Sequence, residues 1–153
     1  MTLKERVEAD IKQAMLAKDK PRLQALRSIK SLILLAETEK GAGEGLTKDA
    51  ELKLLTRAAK QRRESAEVYA QQQRADLEQI ELGELAVIEE YLPKQLDEGD
   101  LRAHLLDIIR RVGATGPSDL GKVMGVASKE LAGQADGRAI SSAVSDLLNN
   151  TDF

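Results

Sequence analysis

The sequence predicts an all-α fold, and three features of its 153 residues support this prediction. Apolar residues recur at intervals of three or four along most of the chain, which is the spacing of one helix face. Aromatic residues make up only 2% of the chain, so the core must consist of Leu, Ile, Val, Ala and Met, which commonly fill helix–helix contacts. No stretch shows the sustained apolar–polar alternation of a half-buried strand. We therefore expect helices and no sheet.

The first part of the chain has the pattern of long amphipathic helices. The first helix begins after a capping box formed by Thr2 and Glu5. Pro21 suits the first turn of the second helix, which Gly41 ends as a C-cap. Thr47 is the predicted N-cap of the third helix. These signals predict a bundle whose helices follow one another through short connections.

A break at residues 74–76 separates the third helix from a fourth, which Asp76 is expected to cap. The apolar stripes predicted for these two helices include Val68 in the third and Ile80 in the fourth. Pro93 ends the fourth helix because proline cannot continue one. The N-terminal domain is thus predicted to span residues 1–93.

After this point the helices become shorter and glycine becomes more frequent. Three helices are predicted, and Gly113 lies where the first of them needs a C-cap. Their predicted N-caps, in chain order, are Asp97, Ser118 or Asp119, and Asp136. The sequence therefore predicts a small three-helix tail domain over residues 96–153.

The net charge of −3 conceals an uneven distribution along the chain. Residues 1–75 carry 16 Lys and Arg against 11 Asp and Glu, whereas residues 76–100 carry 1 against 9. Residues 101–153 are balanced, with 6 of each. A basic segment followed by an acidic one indicates a surface that faces a polyanion, although solvated helix faces are the commoner explanation.

Several classes of function are excluded by composition. The chain has no Cys, which removes disulfides, thiolate nucleophiles and Cys-based metal sites. Its single His, His104, has only Asp100 and Asp107 on neighbouring turns, and we interpret it as a partly exposed helical residue. No signal-peptide pattern is present, and the longest apolar run falls far below the roughly 18 residues that span a bilayer. We expect a cytoplasmic protein without membrane contact, metal or cofactor.

The stretch GPSDLGKV at 116–123 fits the phosphate-binding loop G-x-x-x-x-G-K-[ST] at all but its last position. Such a loop follows a buried strand and places a hydroxyl on Mg²⁺. Here an amphipathic helix precedes the stretch, Val123 takes the place of the hydroxyl, and Pro117 has no N–H to donate. We interpret the stretch as a helix start with Val123 in the core, and we expect no nucleotide.

Basic residues on the third helix are candidates for a binding site. The row consists of Lys53, Arg57, Lys60 and Arg63. Residues three or four apart share a helix face, so the row can follow a line of phosphates. Glu64 and Glu67 interrupt it, which leaves a solubilising face as the alternative. The shortage of aromatic residues disfavours base stacking and leaves recognition of a folded RNA by shape and phosphates.

Four motifs resemble those of the YqeY-like proteins. They are QRRES at 61–65, EYLPKQL at 90–96, DLGKVMG at 119–125 and ADG at 135–137, so the resemblance covers essentially the whole chain. The C-terminal part is also similar to the tail domain of the GatB subunit of glutamine-dependent aspartyl/glutamyl-tRNA amidotransferases. The resemblance implies an all-helical fold of two modules and a tail that helps to hold tRNA.

The resemblance also implies nucleic-acid contacts in the tail, at Lys122, Lys129 and Arg138. Where relatives tend to be lysine-rich before ADG, this chain has Glu130, Ala132 and Gln134, which weakens the tail as a polyanion binder. Family members often carry a label of carbon–nitrogen ligase activity with glutamine as amido-N-donor, taken from the amidotransferase. This sequence has no ATP site and no amidase Ser–Lys arrangement, and we expect no catalytic residues.

Two functional hypotheses remain. The first is a non-catalytic helical protein that binds tRNA or an assembly that handles tRNA. The second is a protein–protein adaptor whose charged N-terminal helices dock a partner and which makes no RNA contact.

Overall fold

The computed structural model describes residues 1–39 and 45–150, and these residues form helices and no strand. The predicted all-α fold class is confirmed. The α-helices are α1 (Leu3–Leu16), α2 (Lys20–Glu39), α3 (Lys48–Gln71), α4 (Ala75–Glu89), α5 (Glu98–Val112), α6 (Leu120–Glu130) and α7 (Gly137–Asn149). A short 3-10 turn at Pro117–Asp119 precedes α6. Within the described ranges, every helix is too short or too polar to span a lipid bilayer.

The chain divides into two compact units, Met1–Pro93 with α1 to α4 and a second that begins at Lys94 and contains α5 to α7. Each unit has its own apolar cluster. The largest fully buried side chains of the first are Val7, Leu26, Ile29 and Ile33. Those of the second are Leu105, Ile108, Ile109, Val123, Val144 and Leu148.

Most predicted helix caps are confirmed. Thr2 and Glu5 form the capping box of α1, and the Thr47 hydroxyl accepts the N–H of Ala50 at the start of α3. Gly41, the predicted end of α2, lies outside the described residues. In the second unit, Asp97 caps α5 and Asp136 caps α7 through their carboxylates. Gly113 ends α5 in the left-handed conformation, with φ of 71°, as a glycine C-cap commonly does.

The predicted cap at Asp76 is wrong, whereas Asp119 lies at the predicted N-cap position of α6 without making the capping hydrogen bond; in both cases another partner occupies the carboxylate. Helix α4 begins at Ala75, and the Asp76 side chain accepts two hydrogen bonds from the Arg74 guanidinium. Helix α6 begins at Leu120, directly after the 3-10 turn, and no side chain makes a capping hydrogen bond to it. The Asp119 carboxylate instead accepts the backbone N–H of Thr115 at 2.9 Å.

The predicted apolar stripes of α3 and α4 are only partly buried. Val68 remains 48% exposed and Ile80 54% exposed, so these two members of the predicted stripes lie at the surface. The buried cluster of the first unit, with the side chains packed against it, includes α3 only as far as Ala59 and α4 only from Leu85 onwards. The two helices therefore continue beyond the core that their stripes were expected to join.

Candidate binding surfaces

The basic row on α3 is divided by the fold. The Lys53 ammonium lies 3.1 Å from the Asp49 carboxylate, and Arg63 Nη2 lies 3.6 Å from Glu89 Oε1 of α4. Arg57 and Lys60 are exposed and form no salt bridge with any described residue. The four cations do not act as one uninterrupted line.

Glutamates of the acidic helix α4 pair with two of the six basic residues of α3, Arg62 and Arg63. Arg62 is central to this contact, because its guanidinium lies 3.3 Å from Glu81 Oε2 and 3.2 Å from Glu84 Oε2. All three side chains are partly shielded from water, which strengthens their mutual attraction. Together with the pair of Arg63 and Glu89, this contact brings part of the basic segment and part of the acidic segment of the sequence together within the first unit.

The candidate cations of the second unit differ from Lys53 and Arg63 in having no salt-bridge partner among the described residues. Lys122 and Lys129 are exposed and seven residues apart on α6, which places them on the same flank with a rise of roughly 10 Å between them. Arg138 is exposed in the first turn of α7. None of the three forms a salt bridge with a carboxylate in residues 1–39 or 45–150. Apart from the attraction between Lys122 and the nearby Asp119 carboxylate, their charges are available to a ligand.

The surface between the two lysines of α6 is open. Gly125 lies one turn from each of them, and a Cβ atom added to it would meet nothing within 4 Å. The same holds at Gly121. A bulky backbone can therefore approach α6 closely beside Lys122 and Lys129.

Nearby on α6, Glu130 is held by an ion pair. Its carboxylate accepts hydrogen bonds from Arg111 Nη1 at 2.8 Å and Nη2 at 2.6 Å, a bidentate contact that joins α5 to α6. The Arg111 guanidinium lowers the pKa of Glu130. Glu130 is thus paired with Arg111 and forms no salt bridge with Lys129.

The GPSDLGKV stretch forms the approach to α6. Helix α5 precedes it, and Val123 is fully buried, as predicted. Hydrogen bonding from the backbone N–H of Thr115, aided by the Lys122 charge, lowers the pKa of Asp119. This carboxylate therefore stays ionised and holds the loop that leads into α6.

We expect Asp119→Asn to reduce stability at neutral pH and to have a decreasing effect in acid. Because the pKa of Asp119 is lowered from 3.8 on folding, the folded state binds fewer protons there than the unfolded state. Its contribution is thus complete above the unfolded pKa and is lost as the pH falls through the lower folded value. Urea titrations of both proteins between neutral pH and acid measure this difference, and a difference that grew on acidification would contradict the assignment.

His104 is exposed on α5. No three His, Asp or Glu side chains converge as metal ligands in the part of the chain that the structure describes.

A cluster around Tyr91 connects α1 and α2 to the chain after α4. The Tyr91 hydroxyl donates to the Asp10 carboxylate, and the Arg6 guanidinium carbon lies 5.1 Å from the ring centroid. Burial, followed by the bond to Asp10, raises the pKa of Tyr91. Arg22 makes two hydrogen bonds to Glu90, of 2.7 and 3.1 Å. Every charged group in this cluster has a partner, so we interpret it as structural.

A groove between α2 and α3 was not predicted from the sequence. Its volume is about 410 Å³. Its apolar lining consists of Leu32, Leu35, Ala36, Leu54 and Ala58, and its polar lining of Glu39, Lys53, Arg57 and Gln61. The apolar run at residues 32–36 was the available signal, because five consecutive apolar residues cover more of a helix than one buried face.

The fold and these surfaces define the class of small all-α proteins built from two helical units. The chain belongs to the YqeY-like protein family, whose model matches residues 4–148. It is also 34% identical over 111 residues to "Altered inheritance of mitochondria protein 41, mitochondrial" of Clavispora lusitaniae (strain ATCC 42720). The match covers 71% of this chain and 63% of that protein, so the chain spans less than two thirds of the curated relative. The resemblance found in the sequence is confirmed at the level of the family.

Proposed function

We propose that the protein is a non-catalytic RNA-binding protein that holds tRNA, or an assembly that handles tRNA, through its second unit. The observation that carries this proposal is the set of three exposed cations without salt bridges at Lys122, Lys129 and Arg138. Phosphate contacts by such side chains release counterions and supply most of the affinity for a polyanion. The similarity of this part of the chain to the GatB tail supports tRNA as the polyanion.

The shape of α6 supports the same proposal. Folded RNA is recognised mainly through its backbone and shape, which requires close approach to a helix surface. The open space at Gly125 permits this approach between the two lysines. On α3, by contrast, Lys53 and Arg63 already have carboxylate partners, so we assign the main RNA contact to the second unit.

The proposal assigns no catalytic residue and does not transfer the ligase activity of the amidotransferase to this chain. The cytoplasm remains the compartment predicted from the sequence, whereas the name of the related Clavispora protein places that protein in mitochondria.

We expect the full chain to bind tRNA with an affinity that falls steeply as salt concentration rises. The triple substitution Lys122→Gln, Lys129→Gln, Arg138→Gln should weaken binding at least about ten-fold at low salt and reduce the slope of log affinity against log salt by roughly 2 to 3. Filter binding or fluorescence anisotropy with bulk tRNA measures both quantities.

The matched control is Lys4→Gln, Lys30→Gln, Lys53→Gln, which removes the same charge from lysines that have carboxylate partners in the first unit. It should change the slope by less than half as much. An equal loss in both triple variants would place the effect in overall charge and overturn the assignment. Absence of tRNA binding at about 50 mM salt would contradict the RNA proposal and favour the hypothesis of a protein–protein adaptor without RNA contact.

A further inference from the structure

Positive charge is concentrated at the turn between α1 and α2 and on the parts of the two helices beside it. Residues 12–31 hold six Lys and Arg against one Asp. Two of the six cations are paired, Arg22 with Glu90 and Lys30 with Glu8. The other four are exposed and form no salt bridge with residues 1–39 or 45–150. These four cations are Lys12, Lys18, Lys20 and Arg27.

The carboxylates near this region do not cancel its charge. Asp19 accepts a backbone N–H in the first turn of α2 at 3.2 Å, and Asp10 accepts a tyrosine hydroxyl. Counted together with Glu8 and Glu90, four carboxylates stand against six cations, which leaves a local net charge of +2. Protein surfaces normally intersperse both signs of charge. Four unpaired cations in one region therefore indicate a site for a polyanion.

Lys12 and Arg27 lie on the same surface of the first unit. Helices α1 and α2 are antiparallel, and the ion pair between Glu8 and Lys30, at 3.5 Å, marks their register. One turn beyond Glu8 on α1 is Lys12, and one turn before Lys30 on α2 is the turn that contains Arg27. The two cations are exposed, on the outside of the helices whose buried side chains form the core.

On α2, Arg27 belongs to an exposed row with the spacing of one helix face. The row consists of Lys20, Gln24, Arg27 and Ser31. It extends over a rise of roughly 16 Å. Each of its side chains can donate a hydrogen bond, and, unlike the basic row on α3, it is not interrupted by a carboxylate. Such side chains commonly contact phosphate and sugar oxygens.

We propose that Lys12 and the row on α2, which together we call the outer basic face, form a second RNA-binding surface that contacts the phosphate backbone of tRNA. The inference rests on the proposed function for the nature of the ligand and adds a contact in the first unit. A membrane is disfavoured because a helix that lies in a bilayer interface needs a continuous apolar face. Beside the turn only Met15 and Leu16 are exposed apolar residues, and the row on α2 is polar throughout.

The test is a titration of bulk tRNA with the full chain at several salt concentrations, followed by fluorescence anisotropy. The triple substitution Lys12→Gln, Lys20→Gln, Arg27→Gln should weaken binding at least about ten-fold at low salt. It should also reduce the slope of log affinity against log salt by roughly 2 to 3, because each lost phosphate contact releases fewer counterions. Circular dichroism melting shows whether the variant remains folded.

The matched control is Lys4→Gln, Lys30→Gln, Lys53→Gln. It removes the same charge from the first unit, and two of its three lysines lie on α1 and α2, but all three have carboxylate partners. Its effect on the slope should be less than half as large. Equal effects of the two triple variants would assign the loss to overall charge and overturn the proposal.

Cross-linking locates the contact without changing a charge. Because the chain has no Cys, a single cysteine can carry a benzophenone group at a chosen position. Gln24→Cys lies within the outer basic face, whereas Gln72→Cys is an exposed position at the end of α3. We expect tRNA to cross-link to the first at least several-fold more than to the second. Equal yields at the two positions would contradict the proposal.

The remaining outcomes separate this inference from the proposed function. If only the second-unit triple variant lost tRNA affinity, the outer basic face would be excluded and the proposed function would stand. If only the outer-face variant lost affinity, the assignment to the second unit would be wrong. Poly-glutamate that bound as tightly as tRNA would assign the face to an acidic protein. Vesicles of equal phosphatidylcholine and phosphatidylglycerol that bound the original chain but not the outer-face variant, with tRNA affinity unchanged, would assign it to a membrane.

Discussion

Replacement of Leu105 by alanine is expected to lower the free energy of unfolding of the second unit by about 3 kcal/mol. Leu105 is completely buried at the centre of the cluster formed by α5, α6 and α7. The substitution removes apolar contacts and leaves a cavity that the surrounding helices fill only in part. Because a small unit buries a limited apolar area, this loss is a large fraction of its stability.

Hydrogen exchange along α5 to α7 in the full chain, at several urea concentrations, measures this change. The tyrosines Tyr69 and Tyr91 lie in the first unit and report on it independently by fluorescence. The control is Leu106→Ala, which removes the same atoms from a partly buried neighbour and should cost about 1 kcal/mol. Equal losses for the two variants would contradict the central position assigned to Leu105.

The second large effect is expected from Val123→Thr, which completes the sequence of the phosphate-binding loop. Val123 is completely buried in the apolar cluster of the second unit, so its nearly isosteric replacement places a hydroxyl in an apolar site. We expect a loss of about 1 to 3 kcal/mol in the free energy of unfolding and no gain of ATP binding. Denaturant titration and calorimetry with Mg²⁺ and ATP measure the two quantities.

Val126→Thr is the matched control, because it makes the same chemical change at a partly buried position of the same helix. It should reduce stability by less than half as much. If Val123→Thr bound ATP, or if it unfolded no more easily than Val126→Thr, the assignment of the GPSDLGKV stretch to a helix start with a buried valine would be wrong.

The helices and most of their caps could be predicted because they depend on residues close in sequence. Thr47, Asp97 and Asp136 each accept a hydrogen bond from the N–H three residues ahead, so both partners of each bond lie within one short segment of the sequence. Asp76 and Asp119 have the same chemistry but meet a competing donor, the Arg74 guanidinium and the Thr115 N–H respectively. A propensity for capping does not indicate which of two nearby donors a carboxylate will choose.

The candidate site was predicted less completely than the fold. All seven basic candidates could be named from the sequence, but helix spacing on α3 could not show that Arg63 has Glu89 as a neighbour. That pair joins two helices, and its members are distant in sequence. Whether Lys122, Lys129 and Arg138 have salt-bridge partners likewise depends on which carboxylates the other helices bring near them.

Periodicity and capping chemistry were sufficient for the all-α class, the helix order and the buried position of Val123, because these follow from the spacing of apolar residues and from contacts within one turn. Tertiary packing decided which cations remain available and where the groove lies. Residues 32–36 are apolar on more than one side of α2, and the spacing cannot tell which side another helix will cover. Helix α3 approaches α2 without closing over Leu35, and this incomplete contact leaves an apolar surface beside Arg57.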